Sequence, residues 1–201
     1  MISVIVCSVN KTQFYKLSEN ILNTIGIEYE LICIDNSNDK FSIAQAYNKG
    51  AEQAKFPYLC FVHEDVLFKT LEWGGNIINH FKSDEETGLI GIAGGIYKSK
   101  MSSAWWQTDM IDIEVKRMNV VQFYKDSLRN SIHFFINPFN ENKAEVVALD
   151  GVFLAMTKGV WNENKYDEKL LKKTRIVGQK PKTKKIYRYW FKLWLVCQTN
   201  E

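Results

Sequence analysis

Three polar clusters follow three apolar runs, and their residue types suit the handling of a phosphorylated ligand. Ser8 and Asn10 come after residues 2–7, Asp35-Asn36-Ser37 after 31–34, and His63-Glu64-Asp65 after 58–62. Adjacent carboxylates such as Glu64 and Asp65 suit a hard divalent cation, Mg2+ or Mn2+, which takes oxygen ligands: commonly one or two carboxylates, completed by phosphate oxygens of a substrate. The same pair is also what a solvated turn at a strand end looks like, so the chemistry depends on whether folding brings the clusters together. A fourth candidate, Asp150, interrupts with Gly151 an apolar run over 146–156. It stands either near an acceptor hydroxyl or as the partner of backbone amides at a bulge.

The elements that must position these residues are legible from periodicity. Residues 2–7 are apolar, rich in β-branched side chains and too short for a helix, which predicts a strand covered on both faces. Phe14, Leu17, Ile21, Leu22 and Ile25 then recur at helical spacing, with Gly26 as the stop. Residues 31–34 predict a second strand. Ser42 caps a second helix carrying Ile43, Ala46, Tyr47, Ala51 and Ala54 on one face, ended by Phe56-Pro57. A third strand follows over 58–62. This alternation predicts an α/β fold with a mostly parallel, Rossmann-like sheet flanked by helices. Ligands of such sheets bind outside the carboxyl ends of the strands, the edge where the three clusters fall. Further on, 71–81 reads as a helix and 89–97 as a strand whose Gly94-Gly95 suits close backbone approach. Residues 98–145, with short β-prone runs at 119–124 and 132–136, predict a small antiparallel or irregular subregion.

Composition narrows the class. A chain of 201 residues, 46% hydrophobic with 3 Pro and 11 Gly, is that of a packed domain and not a disordered or collagenous one. Cys7, Cys33, Cys60 and Cys197 show no metal or redox spacing, and the first three read as small buried hydrophobes. The opening residues lack the basic and apolar regions of a secretory leader, and no run reaches the ~18 apolar residues of a membrane span, so a cytoplasmic setting is expected. Neither a G-x-x-x-x-G-K-[ST] loop nor a G-x-G-x-x-G fingerprint is present, so neither a P-loop enzyme nor a dinucleotide-binding reading is supported. His63, His80 and His133 have no metal spacing and there is no G-x-S-x-G elbow, which leaves hydrolase readings weak.

Four ordered motifs carry a resemblance. Asp35-Asn36-Ser37, Ser42-Ile43-Ala44-x-Ala46-Tyr47-Asn48-x-Gly50, Pro57-Tyr58-Leu59-x-Phe61-x-His63-Glu64-Asp65 and Leu149-Asp150-Gly151-Val152-Phe153-Leu154-Ala155 resemble the bacterial family-2-like glycosyltransferases of GT-A fold, over about residues 1–170. The resemblance implies a nucleotide-diphospho-sugar donor whose base meets Ser8 and Asp35. It also implies that His63-Glu64-Asp65 stands for the family's D-x-D element, with Glu64 in the ribose or metal shell and Asp65 on Mn2+ or Mg2+. A bridging metal would stabilise charge on the departing nucleotide. Asn48 either supports the phosphate side or satisfies backbone. Trp106, beside Trp105, either stacks on an acceptor sugar or packs the subregion against the sheet. The acceptor implied is a glycan or a lipid-linked glycan, the transfer inverting, and Asp150 the candidate catalytic carboxylate.

Charge divides the chain. Residues 1–168 hold 16 Lys and Arg against 22 Asp and Glu, a balance of −6, whereas 169–201 hold 10 against 1, a balance of +9. The expected division is a glycosyltransferase-like domain over 1–168, with a nucleotide-binding half at 1–97 and an acceptor-side half at 98–168, followed by a basic aromatic tail. Where the family usually carries an acceptor-side acid and general base, this chain reads Lys172-Lys173-Thr174-Arg175-Ile176. Three readings of the tail stand open. Over 172–196 it suits peripheral contact with the anionic inner face of a membrane; it carries a generic nucleic-acid footprint that nothing else supports, so no nucleic-acid partner is expected; or it is the product of a truncated or frame-shifted gene. Without a base, the chain would be a catalytically inactive nucleotide-sugar-binding or membrane-docked scaffold.

Overall fold

The computed structural model describes residues 1–98, 113–123, 131–169, 185–189 and 195–198. The chain opens with β1 (Ile2–Ser8), α1 (Lys11–Thr24), β2 (Tyr29–Asp35), α2 (Ile43–Gln53) and β3 (Tyr58–His63). β1 pairs in parallel with β2 on one side and β3 on the other, as the alternating pattern predicts. Ile2, Val4, Ile5 and Val6 are wholly buried between helices on the two faces. The predicted punctuation is present. Gly26 sits past the end of α1 with φ +72°, a backbone shape that side-chain-bearing residues rarely adopt. Ser42 forms a capping box with Gln45 at the start of α2.

After β3 come β4 (Val66–Phe68), α3 (Trp73–Ser83), β5 (Thr87–Gly91) and β6 (Ala93–Gly95). The single strand expected over 89–97 is thus two, belonging to different sheets. A Cβ on Gly94 would lie 2.3 Å from the Ala148 carbonyl oxygen, the close approach its paired glycines suggested. β7 (Lys116–Phe123), β8 (Ser131–Ile136), β9 (Lys143–Glu145), β10 (Ala148–Leu149), β11 (Phe153–Thr157) and α4 (Lys158–Glu163) follow, then β12 (Lys185–Tyr189) and β13 (Leu195–Gln198).

Among the described residues the main sheet runs β2-β1-β3-β11-β5-β12-β9 and the second β10-β6-β7-β13-β4, with β8 on β7. β11 enters the main sheet antiparallel to both β3 and β5. The basic segment read from its charge as a tail supplies a strand to each sheet, β12 beside β5 and β13 beside β7.

The helices leave two apolar cores. On one face Leu17, Ile21, Trp73 and Phe153 gather with the even residues of β1; on the other, Tyr47, Ala51, Phe61 and Trp161 gather around Ile5. α2 sits so close to β1 that a Cβ on Gly50 would fall 2.3 Å from Ile5 Cγ2.

Candidate functional site

β1, β2 and β3 end together, so their three polar clusters share one edge: Ser8 is in register with Asp35, and Cys7 with His63. Between the ends of β1 and β2 and the first turns of α1 lies a cavity of about 150 Å3. Ser8, Cys33, Asp35 and Ser37 line it from the sheet side, and Lys11, Phe14 and Tyr15 from the helix. Asp35 is held below the usual carboxylate range by hydrogen bonds from Ser37, backbone first, and by the charges of Lys11 and Lys40. The cavity therefore offers an ionised acceptor opposite two aromatic rings, a combination that suits a flat ring with hydrogen-bond donors on its edge.

Lys11 and Tyr15 had no place in the sequence reading of the site. Tyr15 is 67% exposed, lies off the apolar stripe of α1 and lines the cavity, a placement that helical spacing alone does not reveal. Cys33 needs correction: it was expected to be a buried hydrophobe, but it is exposed and lines the cavity. β2 is an edge strand, so an apolar run there is covered on fewer sides than the same run in β1. Cys7 and Cys60 lie further in; burial pushes the Cys7 thiol up to about 11 and the Cys60 thiol well above its ordinary value.

The turn after β3 is tied directly to the loop after β1. Glu64 Oε2 accepts from Ser8 Oγ at 2.7 Å and from the backbone N–H groups of Val9 and Asn10, each at 3.0 Å. One oxygen of Glu64 is thus spent inside the protein. Asp65 is half-buried, and desolvation raises its carboxyl above the ordinary value, with Glu64 adding to the rise and His63 opposing it. A short carboxylate whose charge is disfavoured by burial is one that a cation would relieve. Among the described residues no three His, Cys, Asp or Glu side chains cluster to hold a metal. The residues therefore fit a cation bound through Asp65 and through a ligand's own phosphate oxygens, and do not form an all-protein cage.

Asp150 reaches the same edge from the other side. The β10–β11 turn abuts the end of β3, where the His63 N–H donates to the Val152 carbonyl at 3.2 Å. Asp150 Oδ1 accepts from the Val152 N–H at 3.0 Å, closing an Asx turn.

Asn48 does not join this group. It is buried, its Oδ1 accepts from Trp161 Nε1 and the Tyr166 N–H, and its Nδ2 donates to the Tyr166 carbonyl and Glu168 Oε1. Trp105, Trp106 and residues 170–184 of the basic segment lie outside the described residues.

The fold is that of GT-A glycosyltransferases: the chain is similar to a solved structure of S. aureus TarS 1-349 in complex with UDP-GlcNAc, with TM-score 0.57, 10% identity, and coverage of 100% of this chain and 59% of that one. It is also similar to GalNAc-T7 solved with UDP, GalNAc and Mn2+, with TM-score 0.62, 10% identity, and coverage of 99% of this chain and 44% of that one. The chain thus spans less than two thirds of either. No curated protein shows significant sequence similarity to it. Residues 3–192 match the profile of a glycosyltransferase-like family, to which this chain belongs. That match runs beyond the expected limit near 170 and through most of the basic segment.

Proposed function

We propose that this protein is a glycosyltransferase that takes a sugar from a nucleotide-diphospho-sugar and passes it to a glycan or lipid-linked acceptor, with inversion. The observation that carries the reading is the coupling of the Ser8–Asp35 cavity to the Glu64-Asp65 turn, one hydrogen bond apart along a single sheet edge. A nucleotide needs both, a slot for the base and a cation site for the diphosphate. The UDP in both similar structures supports the base assignment, and the Mn2+ in one of them supports a divalent metal.

Asp35 and Ser8 hold the base, with Phe14 or Tyr15 against its face. Asp65 would hold Mn2+ or Mg2+, which when bound would supply charge stabilisation for the departing diphosphate. Asp150 is the candidate base. An acceptor hydroxyl attacks the anomeric carbon as the bond to the diphosphate oxygen breaks, and the hydroxyl proton passes to the carboxylate. Trp106 is the candidate acceptor platform. Residues 1–97 are the donor half and 98–168 the acceptor half. The ten Lys and Arg over 169–201 support contact with the anionic cytoplasmic face of a membrane, where lipid-linked acceptors reside.

Calorimetric titration of the purified chain with UDP and UDP-sugars, with and without Mn2+, followed by an assay for donor turnover, tests the reading. Metal-enhanced binding with turnover is expected. Binding without turnover marks the alternative, a nucleotide-sugar-binding scaffold, and no binding overturns the reading. Sedimentation with anionic vesicles tests the membrane contact: it predicts pelleting that high salt reverses, and a chain left in the supernatant overturns it.

A further inference from the structure

We propose that Glu64 is a positioning residue, the strut that sets the shape of the nucleotide cavity, and not a ligand of ribose or metal. The inference rests on the reading of that cavity as a nucleotide site. The loop joining β1 to α1 is only Val9 and Asn10, both exposed. On the helix side it is fastened by Asn10, whose Oδ1 caps the Thr12 and Gln13 N–H groups. On the sheet side the tie is Glu64 Oε2, which gathers the Ser8 hydroxyl and the two loop amides.

Three donors converging on one point form a nest for negative charge, and here a side chain of the protein fills it. The residues so held are the ones that matter to the cavity. Ser8 and Val9 line it directly, and Lys11, Phe14 and Tyr15 follow from the helix whose start the loop fixes. Because Glu64 and Asp65 are consecutive, the strut also fixes the separation between the cavity and the carboxylate at the other end of a bound diphosphate. An acceptor committed to three bonds on one oxygen is poorly placed to give that oxygen to a ribose hydroxyl. The amide oxygen of glutamine can occupy the same point, so the conservative replacement should preserve the geometry that alanine destroys.

The test compares the full chain with Glu64→Ala and Glu64→Gln. Without ligand, amide hydrogen exchange at Val9 and Asn10 should speed up about tenfold or more in Glu64→Ala and far less in Glu64→Gln, since the acceptor oxygen is lost only in the first, although both lose its charge. Affinities for UDP and for uridine should fall together by about tenfold in Glu64→Ala and return to within about threefold in Glu64→Gln, while the enhancement of UDP binding by Mn2+ stays the same in all three. Ser8→Ala, which removes one donor of the three, should speed exchange at Val9 and Asn10 by a smaller factor, and this ligand-free readout serves if Glu64→Ala unfolds. Unchanged exchange in Glu64→Ala overturns the proposal. So does loss of the Mn2+ enhancement in Glu64→Gln with uridine affinity intact, the mark of a metal ligand. Wild-type protein that binds neither UDP nor uridine sinks the nucleotide reading and the positioning role together; wild type that binds, matched by Glu64→Ala, sinks the positioning role alone.

Discussion

The two ends of the parallel strands are braced by the same device, set to different ends. At the amino edge Glu30 Oε1 accepts from Ser3 Oγ and from the Lys55 N–H, each at 2.6 Å, while Ser3 Oγ in turn accepts from the Phe56 N–H. At the carboxyl edge Glu64 Oε2 accepts from Ser8 Oγ and two successive loop amides. In each case a glutamate reaches a serine of β1 and stitches a connecting segment to the sheet. The surroundings differ. The first brace joins β1 and β2 to the α2–β3 connection, at the edge opposite the one where parallel sheets bind their ligands. The second borders the space between β1, β2 and α1. A brace at the closed edge acts on stability alone; a brace at the open edge also acts on what the protein binds.

The largest effect that sharpens this contrast is at the open edge. Asp65→Ala should abolish the enhancement of UDP binding by Mn2+, on the order of 100-fold, because a carboxylate is the protein's share of the cation's oxygen ligands. Thermal stability should not fall, since a carboxylate disfavoured by burial is removed. Calorimetry with and without Mn2+ checks the first part and a melting curve the second.

Gly50→Val, between the two edges, should destabilise by about 2–3 kcal/mol, because its side chain must displace Ile5 or push α2 off β1. Urea unfolding measures it. A loss below about 1 kcal/mol would mean the helix moves away freely. Glu30→Gln should be milder, about 1 kcal/mol, as the brace is partly exposed. It should leave UDP affinity unchanged, and a change in affinity would break the contrast between the edges.

The smallest effect is in pH. Burial opposes ionisation of Glu30, but hydrogen bonds from Ser3, Lys55 and Phe56 outweigh it and hold the carboxyl below its ordinary value. A depressed native pKa stabilises fully above the unfolded value, and the contribution disappears as pH falls through the native one. The unfolding midpoints of wild type and Glu30→Gln should therefore differ at neutral pH and converge in acid below that value. A gap that widens on acidification would reverse the sign.

Much of this was legible before any coordinates. The first three strands, the two helices between them and the common edge of the polar clusters follow from apolar periodicity, Gly26 and Ser42. Ser8 and Asp35 do line a cavity, because residues just past buried parallel strands have one place to go. What was not legible depends on contacts distant in sequence. Cys33 reads like Cys60, and only the strand order shows that β2 is an edge. Asn48 is one polar residue on a helix until Trp161 and Tyr166, over a hundred positions away, close around it. Glu64 reads as half of an acidic pair until the loop after β1 folds onto it. β11 lies antiparallel in a parallel neighbourhood, and three-residue strands such as β4 and β9 are too short to show a period.

The place of β11 bears on how the chain is made. β3 and β5 lie on either side of it and do not pair with each other, so the main sheet stays split until residues 153–157 arrive. During synthesis, the residues up to about position 150 must leave the ribosome with the β3 edge bare, while Asn48 waits for partners near position 166. Completion of the main sheet therefore waits until residues 153–166 emerge. A ribosome stalled before position 150 would display an unsatisfied apolar strand, the kind of surface that holdase chaperones recognise.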